Sequence, residues 1–298
     1  MRPAFALRVL NRFQRIAGFD RSMALASSAL TALIPLTILS GIVLSRSGHQ
    51  DIADRIVNRY GLSGGGAEAV RKLFEPAGEA TSLGVLGSVF LVLSALSFTR
   101  AAQRLLEQTW ELKPLSMRNT PNGLRWVLGL TAYLLVSGWI QVVLGRGRLQ
   151  LAAAVCEVPL TAVFLVWSGW VLCAKRVAWR EFLAFGVLAA VLGSVYSVGA
   201  TVYLPHLFNS YATRYGAVGA VLAMISALFG AMLVLVGSAA LGREVTDELG
   251  RIRQGQRPAD DEVRREWDNL VDQMRSRWRS TRRQLSTRRD RDDRRHRP

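Results

Sequence analysis

The run VGAVLAMISALFGAMLVLVGSAAL, residues 218–241, contains 24 amino acids and no charged side chain. A bilayer core about 30 Å thick requires roughly 20 apolar residues per helix. Unlike surface helices, such runs lack a polar stripe, which disfavours a large soluble helical protein. The sequence therefore predicts an all-α polytopic membrane protein with six transmembrane helices. The predicted spans are residues 23–44, 83–102, 126–144, 149–174, 182–204 and 218–241.

Charge is segregated along this chain, which is 50% hydrophobic yet has a formal net charge of +16. Lysine and arginine accumulate in cytoplasmic loops of membrane proteins. Placing both termini in the cytoplasm puts thirty of the 38 Lys and Arg residues on that side, seventeen of them from Arg243 onward. The count predicts that both termini are cytoplasmic, an N-in/C-in orientation. Five basic residues in the loop 45–82 are the main exception.

The segment 1–22 is predicted to be a cytoplasmic amphipathic helix. Its arginines would reach lipid headgroups while the apolar face lies in the interface. The alternative is a loose, solvated start of the chain. The apolar face consists of Phe5, Val9, Phe13 and Ile16, and the basic cluster beside it of Arg8, Arg12 and Arg15.

Two further segments lie outside the six predicted spans of the 23–242 transmembrane domain. The loop 45–82 has two amphipathic stretches separated by Ser63-Gly64-Gly65-Gly66, which predicts a helical hairpin on the outer leaflet that either caps a cavity or simply packs. The tail 243–298 predicts an amphipathic helix over 260–285 and a disordered end. Anionic membrane lipid is its expected partner. Nucleic acid is disfavoured because twelve acidic residues are interspersed with the arginines.

Motifs of catalysis are absent from the sequence. The three histidines, His49, His206 and His296, form no metal-ligand cluster, and neither a phosphate-binding loop nor a nucleophile elbow occurs. Cys156 and Cys173 lie seventeen residues apart on one predicted helix, about 25 Å, which is too far for a disulfide. We therefore expect no enzymatic activity, no metal and no cofactor.

Polar groups at membrane depth are costly and are therefore candidates for function. Glu157 lies in the fourth predicted span beside Pro159, where it would serve as a coupling carboxylate; alternatively it pairs with Arg146 or Arg148. Pro35 interrupts the first span and would act as a bend or only shape packing.

Three charged residues, Arg100, Arg104 and Glu107, fall on adjacent turns at the inner end of the second span. Two arginines at headgroup level can hold a lipid phosphate through paired hydrogen bonds. The alternative is ordinary extension of the arginines to the membrane surface. Small residues also recur in the last two spans, where close helix packing is the default explanation. They include Gly186, Gly193, Gly199, Gly219, Gly230 and Gly237.

Three stretches in this order resemble the YihY/BrkB family of bacterial inner-membrane proteins. They are ALTALIPLTIL at 29–39, FTRAAQRLLEQTW at 98–110 and YATRYGAVGAVLAMISALFGAMLVLVG at 211–237. The last contains the family's entry motif at Tyr215-Gly216 and its closing glycine at Gly237. Family members often have an acidic residue directly after that glycine, whereas here the first acidic residue is Glu244.

The resemblance covers about residues 20–245 and implies a role in the cell envelope. Family members are associated with envelope integrity, and lipid export or flipping is a proposed activity. A ribonuclease label has also been used, but the sequence lacks the metal ligands for it. Two hypotheses follow: a transporter or flippase for a lipid or amphiphile, and a non-transporting scaffold whose basic tail binds anionic lipid or partners.

Overall fold

A computed structural model describes residues 3–44, 80–115, 120–144 and 150–255 of the chain, together with single residues of the loop 45–82 and the tail. The described residues form helices and turns without any β-strand, which confirms the all-α prediction. A short 3₁₀ helix, Trp179–Phe182, precedes the last α-helix. The α-helices are α1 (Pro3–Arg15), α2 (Gly18–Leu44), α3 (Ala80–Thr109), α4 (Thr120–Leu144), α5 (Gln150–Leu172) and α6 (Leu183–Arg253).

Helix α6 is divided by a break at Gly216, where φ is 58° and ψ is −136°. Only glycine adopts this region readily, because a Cβ atom would clash with the backbone. The arms, α6a (183–215) and α6b (217–253), form an antiparallel hairpin. Tyr196 Oη of α6a donates a 2.6 Å hydrogen bond to the Ala227 carbonyl of α6b. Each of the six predicted apolar runs therefore lies on its own helix or arm.

Membrane-helix character is clear in the part of the chain that the structure describes. There, three segments are long and apolar enough to cross a bilayer: Pro121–Ile140, Trp179–Tyr211 and Val218–Arg253. The segment Cys156–Leu172 is apolar but shorter. The helices expected for a membrane protein are thus present, and the count of six spans with N-in/C-in orientation stays a prediction.

Charged side chains connect the first helix, α1, to the last, α6b, at one end of the bundle. Arg8 Nε of α1 lies 2.7 Å from Glu244 Oε1 near the end of α6b. At the same end, Arg176 after α5 pairs at 3.0 Å with Glu107 near the end of α3. We call the region around these two ion pairs the charged end. The predicted hairpin loop and tail helix lie largely outside the described residues.

Small residues were predicted to allow close helix packing, and the structure shows this at some of the predicted glycines only. A Cβ atom on Gly186 would lie 2.8 Å from the Ala162 carbonyl, and one on Gly230 would lie 2.9 Å from the Tyr196 ring. Gly193, Gly199 and Gly237 have no atom within 4 Å of such a position. Close packing therefore explains the first two glycines and not the other three.

Replacing Gly216 with alanine should lower the free energy of unfolding by about 2 kcal/mol, because an L-residue is strained at this φ and ψ. Gly250→Ala is the matched control, since Gly250 lies in the same helix with open space around it and alanine favours a helix by up to about 1 kcal/mol. Thermal unfolding in detergent measures both. Equal melting temperatures for the two variants would contradict the strain assignment.

Candidate functional site

The charged end is organised around Glu244, which is 2% exposed. Its two carboxylate oxygens accept hydrogen bonds from Arg8 Nε at 2.7 Å and from Arg12 Nε at 3.2 Å. The Arg8 side chain is itself buried. A buried carboxylate is tolerable only when it is paired and hydrogen-bonded, and two guanidinium groups meet that requirement here.

Further carboxylates of α6b complete this network. Arg8 Nη2 lies 2.6 Å from Glu248, and Arg12 Nη2 lies 2.7 Å from Asp247. Arg12 Nη1 also donates to the Thr109 carbonyl at the end of α3, at 3.3 Å. Positions 244, 247 and 248 share one helix face because they are three and four residues apart. Helix α1 is thereby held against both α6b and α3.

This arrangement corrects the expectation that the arginines of the N-terminal helix reach lipid headgroups. The helix is present, and Arg15 is exposed, but Arg8 and Arg12 point into the protein. The physical reason is the acidic face of α6b, which offers stronger partners than solvated phosphates. The sequence does contain basic residues four apart on α1 and acidic residues four apart on α6b. It contains no feature, however, that shows that these two groups contact each other.

Glu107 forms a second buried centre. Its Oε1 accepts hydrogen bonds from Arg176 Nη2 at 3.0 Å, Gln103 Nε2 at 2.8 Å and the Leu115 amide at 3.2 Å. Arg176 also donates to the Lys113 carbonyl at 2.7 Å. The structure therefore separates Glu107 from the predicted headgroup site, because its carboxylate joins the turn after α3 to the turn after α5.

The two arginines of that predicted site are exposed. They continue a row of exposed residues that recurs every three or four positions along α3, so these residues share one outward face. We call this row the α3 stripe. Its first member is apolar and its later members are polar: Leu93, Ser97, Arg100, Arg104 and Gln108.

A cleft of about 530 Å³ lies next to Gln108, at the charged end. Its walls come from the end of α1, the start of α2, and the end of α3 with the turn that follows. We call it the basic cleft, since three arginines and one acidic residue line it. Its lining residues are Arg12, Arg15, Ile16, Ala17, Arg21, Gln108, Thr109, Glu111, Leu112 and Pro114.

The candidate coupling residue Glu157 lies elsewhere. Ser137 Oγ of α4 donates to Glu157 Oε1 at 3.2 Å, and one turn away Tyr133 and Thr161 share a 2.9 Å hydrogen bond. Glu157 precedes Cys173, at the charged end, by sixteen residues, which is about 24 Å along a helix. Glu157 and the arginines of the α3 stripe are therefore at different depths. Arg146 and Arg148, its predicted alternative partners, lie outside the described residues.

The remaining candidates have simpler positions. Pro35 lies within helix α2. Tyr215 is exposed directly before the break at Gly216. Among the described residues, no group of three or more His, Cys, Asp and Glu side chains is placed to hold a metal ion.

Comparison with known proteins places these features in context. A family model described as Virulence factor BrkB matches residues 9–262, a range that includes Arg12, Glu107, Gly216 and Glu244. No curated protein matches the chain significantly, and no solved structure does so either.

Proposed function

Because this chain belongs to the BrkB virulence factor family, we propose that it is a multi-pass protein of the bacterial inner membrane that moves an anionic lipid or amphiphile across the bilayer. In this proposal six helices span the membrane and both termini are cytoplasmic. The Arg8–Glu244 ion pair supports the orientation, because it joins the first helix and the last at one end of the bundle. Basic residues accumulate at that end, as expected of a cytoplasmic face.

The observation that carries the proposal is the α3 stripe. Val89, Phe90 and Leu93 are more than half exposed and provide an apolar surface for acyl chains. About two and three turns beyond Leu93, Arg100 and Arg104 present guanidinium groups on the same face, where paired hydrogen bonds to a phosphate are favourable. Arg100 is seven residues from Glu107 of the charged end, about 10 Å along the helix.

Glu157 is proposed as the coupling group. A carboxylate among apolar helices is expensive unless it has a role. Ser137 supplies one hydrogen bond to it, and Pro159 lies two residues later within α5. A proline removes one backbone hydrogen bond of its helix, which gives α5 a place to bend. Pro35 is proposed to do the same in α2.

We further propose that the protein is not an enzyme and that it works without a metal or cofactor. The absence of catalytic motifs from the sequence supports this proposal. Membrane lipids are the proposed partners, and nucleic acid is not one.

A scaffold is the second candidate, favoured by the buried ion pairs around Glu244 and Glu107. Together with the Arg12–Thr109 hydrogen bond, these pairs connect α1, α3, α6b and the turn after α5. A non-transporting protein would use this end, and the basic tail behind it, to hold anionic lipid or partners. Lipid flux distinguishes the two candidates.

The double variant Arg100→Ala, Arg104→Ala should reduce translocation of labelled phosphatidylglycerol in reconstituted vesicles by roughly tenfold, about the loss of one charge-assisted hydrogen bond. Arg253→Ala is the matched control, because Arg253 is an exposed arginine away from the stripe. Glu157→Gln should remove any dependence of lipid translocation on a proton gradient. Equal translocation in vesicles with and without the protein would reject transport and leave the scaffold.

A further inference from the structure

The basic cleft is lined by two arginines that have no ion-pair partner within the described part of the chain. Arg15 and Arg21 both line it, and neither forms an ion pair with a residue that the structure describes. Arg15 is exposed and Arg21 is half-buried. By contrast, Arg12 is committed to Glu244, Asp247 and the Thr109 carbonyl. Two guanidinium groups that line the same concave site attract an anion.

Backbone geometry builds the cleft at that place. The turn between α1 and α2 passes through Ala17, whose φ is 52°, and the turn after α3 passes through Glu111, whose φ is 53°. In each case the left-handed residue ends a helix abruptly; the Leu112 amide, for example, bonds back to the Glu107 carbonyl at 2.7 Å. The two turns face each other across the cleft, so their helix ends bring Arg15, Arg21 and Gln108 to one space.

The surroundings favour an amphiphilic anion. Ile16, Leu112 and Pro114 supply apolar lining. A phosphate bound by the arginines would therefore lie close to the apolar side of the cleft.

We propose that the basic cleft is a phosphate-binding site, with Arg15 and Arg21 as the anion ligands and Gln108 as an additional donor. The phosphate is either that of an anionic lipid headgroup or a free phosphate anion. Glu111, 70% exposed and 3.8 Å from Arg12, lines the same cleft and opposes anion binding. This site is separate from the α3 arginines and does not require that the protein transports anything.

Binding to the full-length protein in detergent micelles tests this site with two probes, dihexanoyl phosphatidylglycerol and inorganic phosphate. Arg15→Ala and Arg21→Ala should each weaken binding about tenfold, the scale of one charge-assisted hydrogen bond. Glu111→Gln should strengthen it several-fold, a change of sign that damaged folding would not produce. Arg253→Ala should leave it unchanged. All four variants should melt within a few degrees of the wild type.

The two probes separate the sources of the anion. Arginine-dependent binding of the lipid, with little binding of phosphate alone, supports a headgroup site. Arginine-dependent binding of inorganic phosphate supports a free-phosphate site. The proposal is overturned if the double variant Arg15→Ala, Arg21→Ala binds both probes within twofold of the wild type, or if Glu111→Gln binds more weakly. If the double variant Arg100→Ala, Arg104→Ala loses lipid translocation but still binds the probes at the basic cleft, the result supports two separate sites.

Discussion

Glu244→Ala is expected to lower the free energy of unfolding by about 3–5 kcal/mol, the usual cost of breaking a buried ion pair by removing one partner. The substitution leaves Arg8 buried with only part of its charge compensated by Glu248, and it removes one of the carboxylates that hold Arg12. Because α1 is joined to α6b by these pairs, the helix should also become accessible to protease. Thermal unfolding in detergent and limited proteolysis measure the two effects.

Glu248→Ala is the matched control for this substitution. Glu248 is on the same face and also contacts Arg8, but its side chain is partly exposed, so its loss should cost no more than about 1 kcal/mol. A double-mutant cycle between Arg8→Ala and Glu244→Ala should yield a coupling energy of about 1–3 kcal/mol. A Glu244→Ala protein that unfolds like the wild type would show that the network does not hold α1 in place.

Gly242→Ala should lower the free energy of unfolding by about 3 kcal/mol, at the upper end of the range for overpacking. A Cβ atom at this position would lie 2.5 Å from Phe185 Cα and 2.6 Å from the Phe185 amide nitrogen. These are backbone atoms and cannot rotate away, so α6a and α6b must separate. Since Phe185 and Phe182 both pack on Trp110, the separation should loosen the core at the charged end.

Gly193→Ala provides the comparison for Gly242→Ala. Gly193 is in α6a of the same hairpin with no atom within 4 Å of its Cβ position, so alanine there should be neutral or stabilise by up to about 1 kcal/mol. Thermal unfolding of the two variants under identical detergent conditions measures the difference. Similar melting temperatures would mean that the arms are not in close contact at Gly242.

Local features of the sequence were enough to predict the helices. Each apolar run is long enough to form a helix whose backbone groups are satisfied internally, and this requirement holds whatever the helix packs against. Gly216 was identified only through the family's entry motif, and the structure shows that it interrupts α6 in a backbone conformation that glycine favours. Helix formation depends on neighbours in the chain, so the sequence alone determined the helices, whereas the position of the break at Gly216 came from the structure.

Partner choice among the charged residues was decided by the tertiary structure. The arginines of α1 have the same spacing whether they face lipid phosphates or carboxylates, and the carboxylates of α6b are 232 to 240 residues away in the chain. Likewise, Glu107 is predicted to lie with Arg100 and Arg104, yet its carboxylate pairs with Arg176 from the turn after α5. Helical periodicity gives the face on which a charge lies, but only the packing of distant helices gives the charge that it meets.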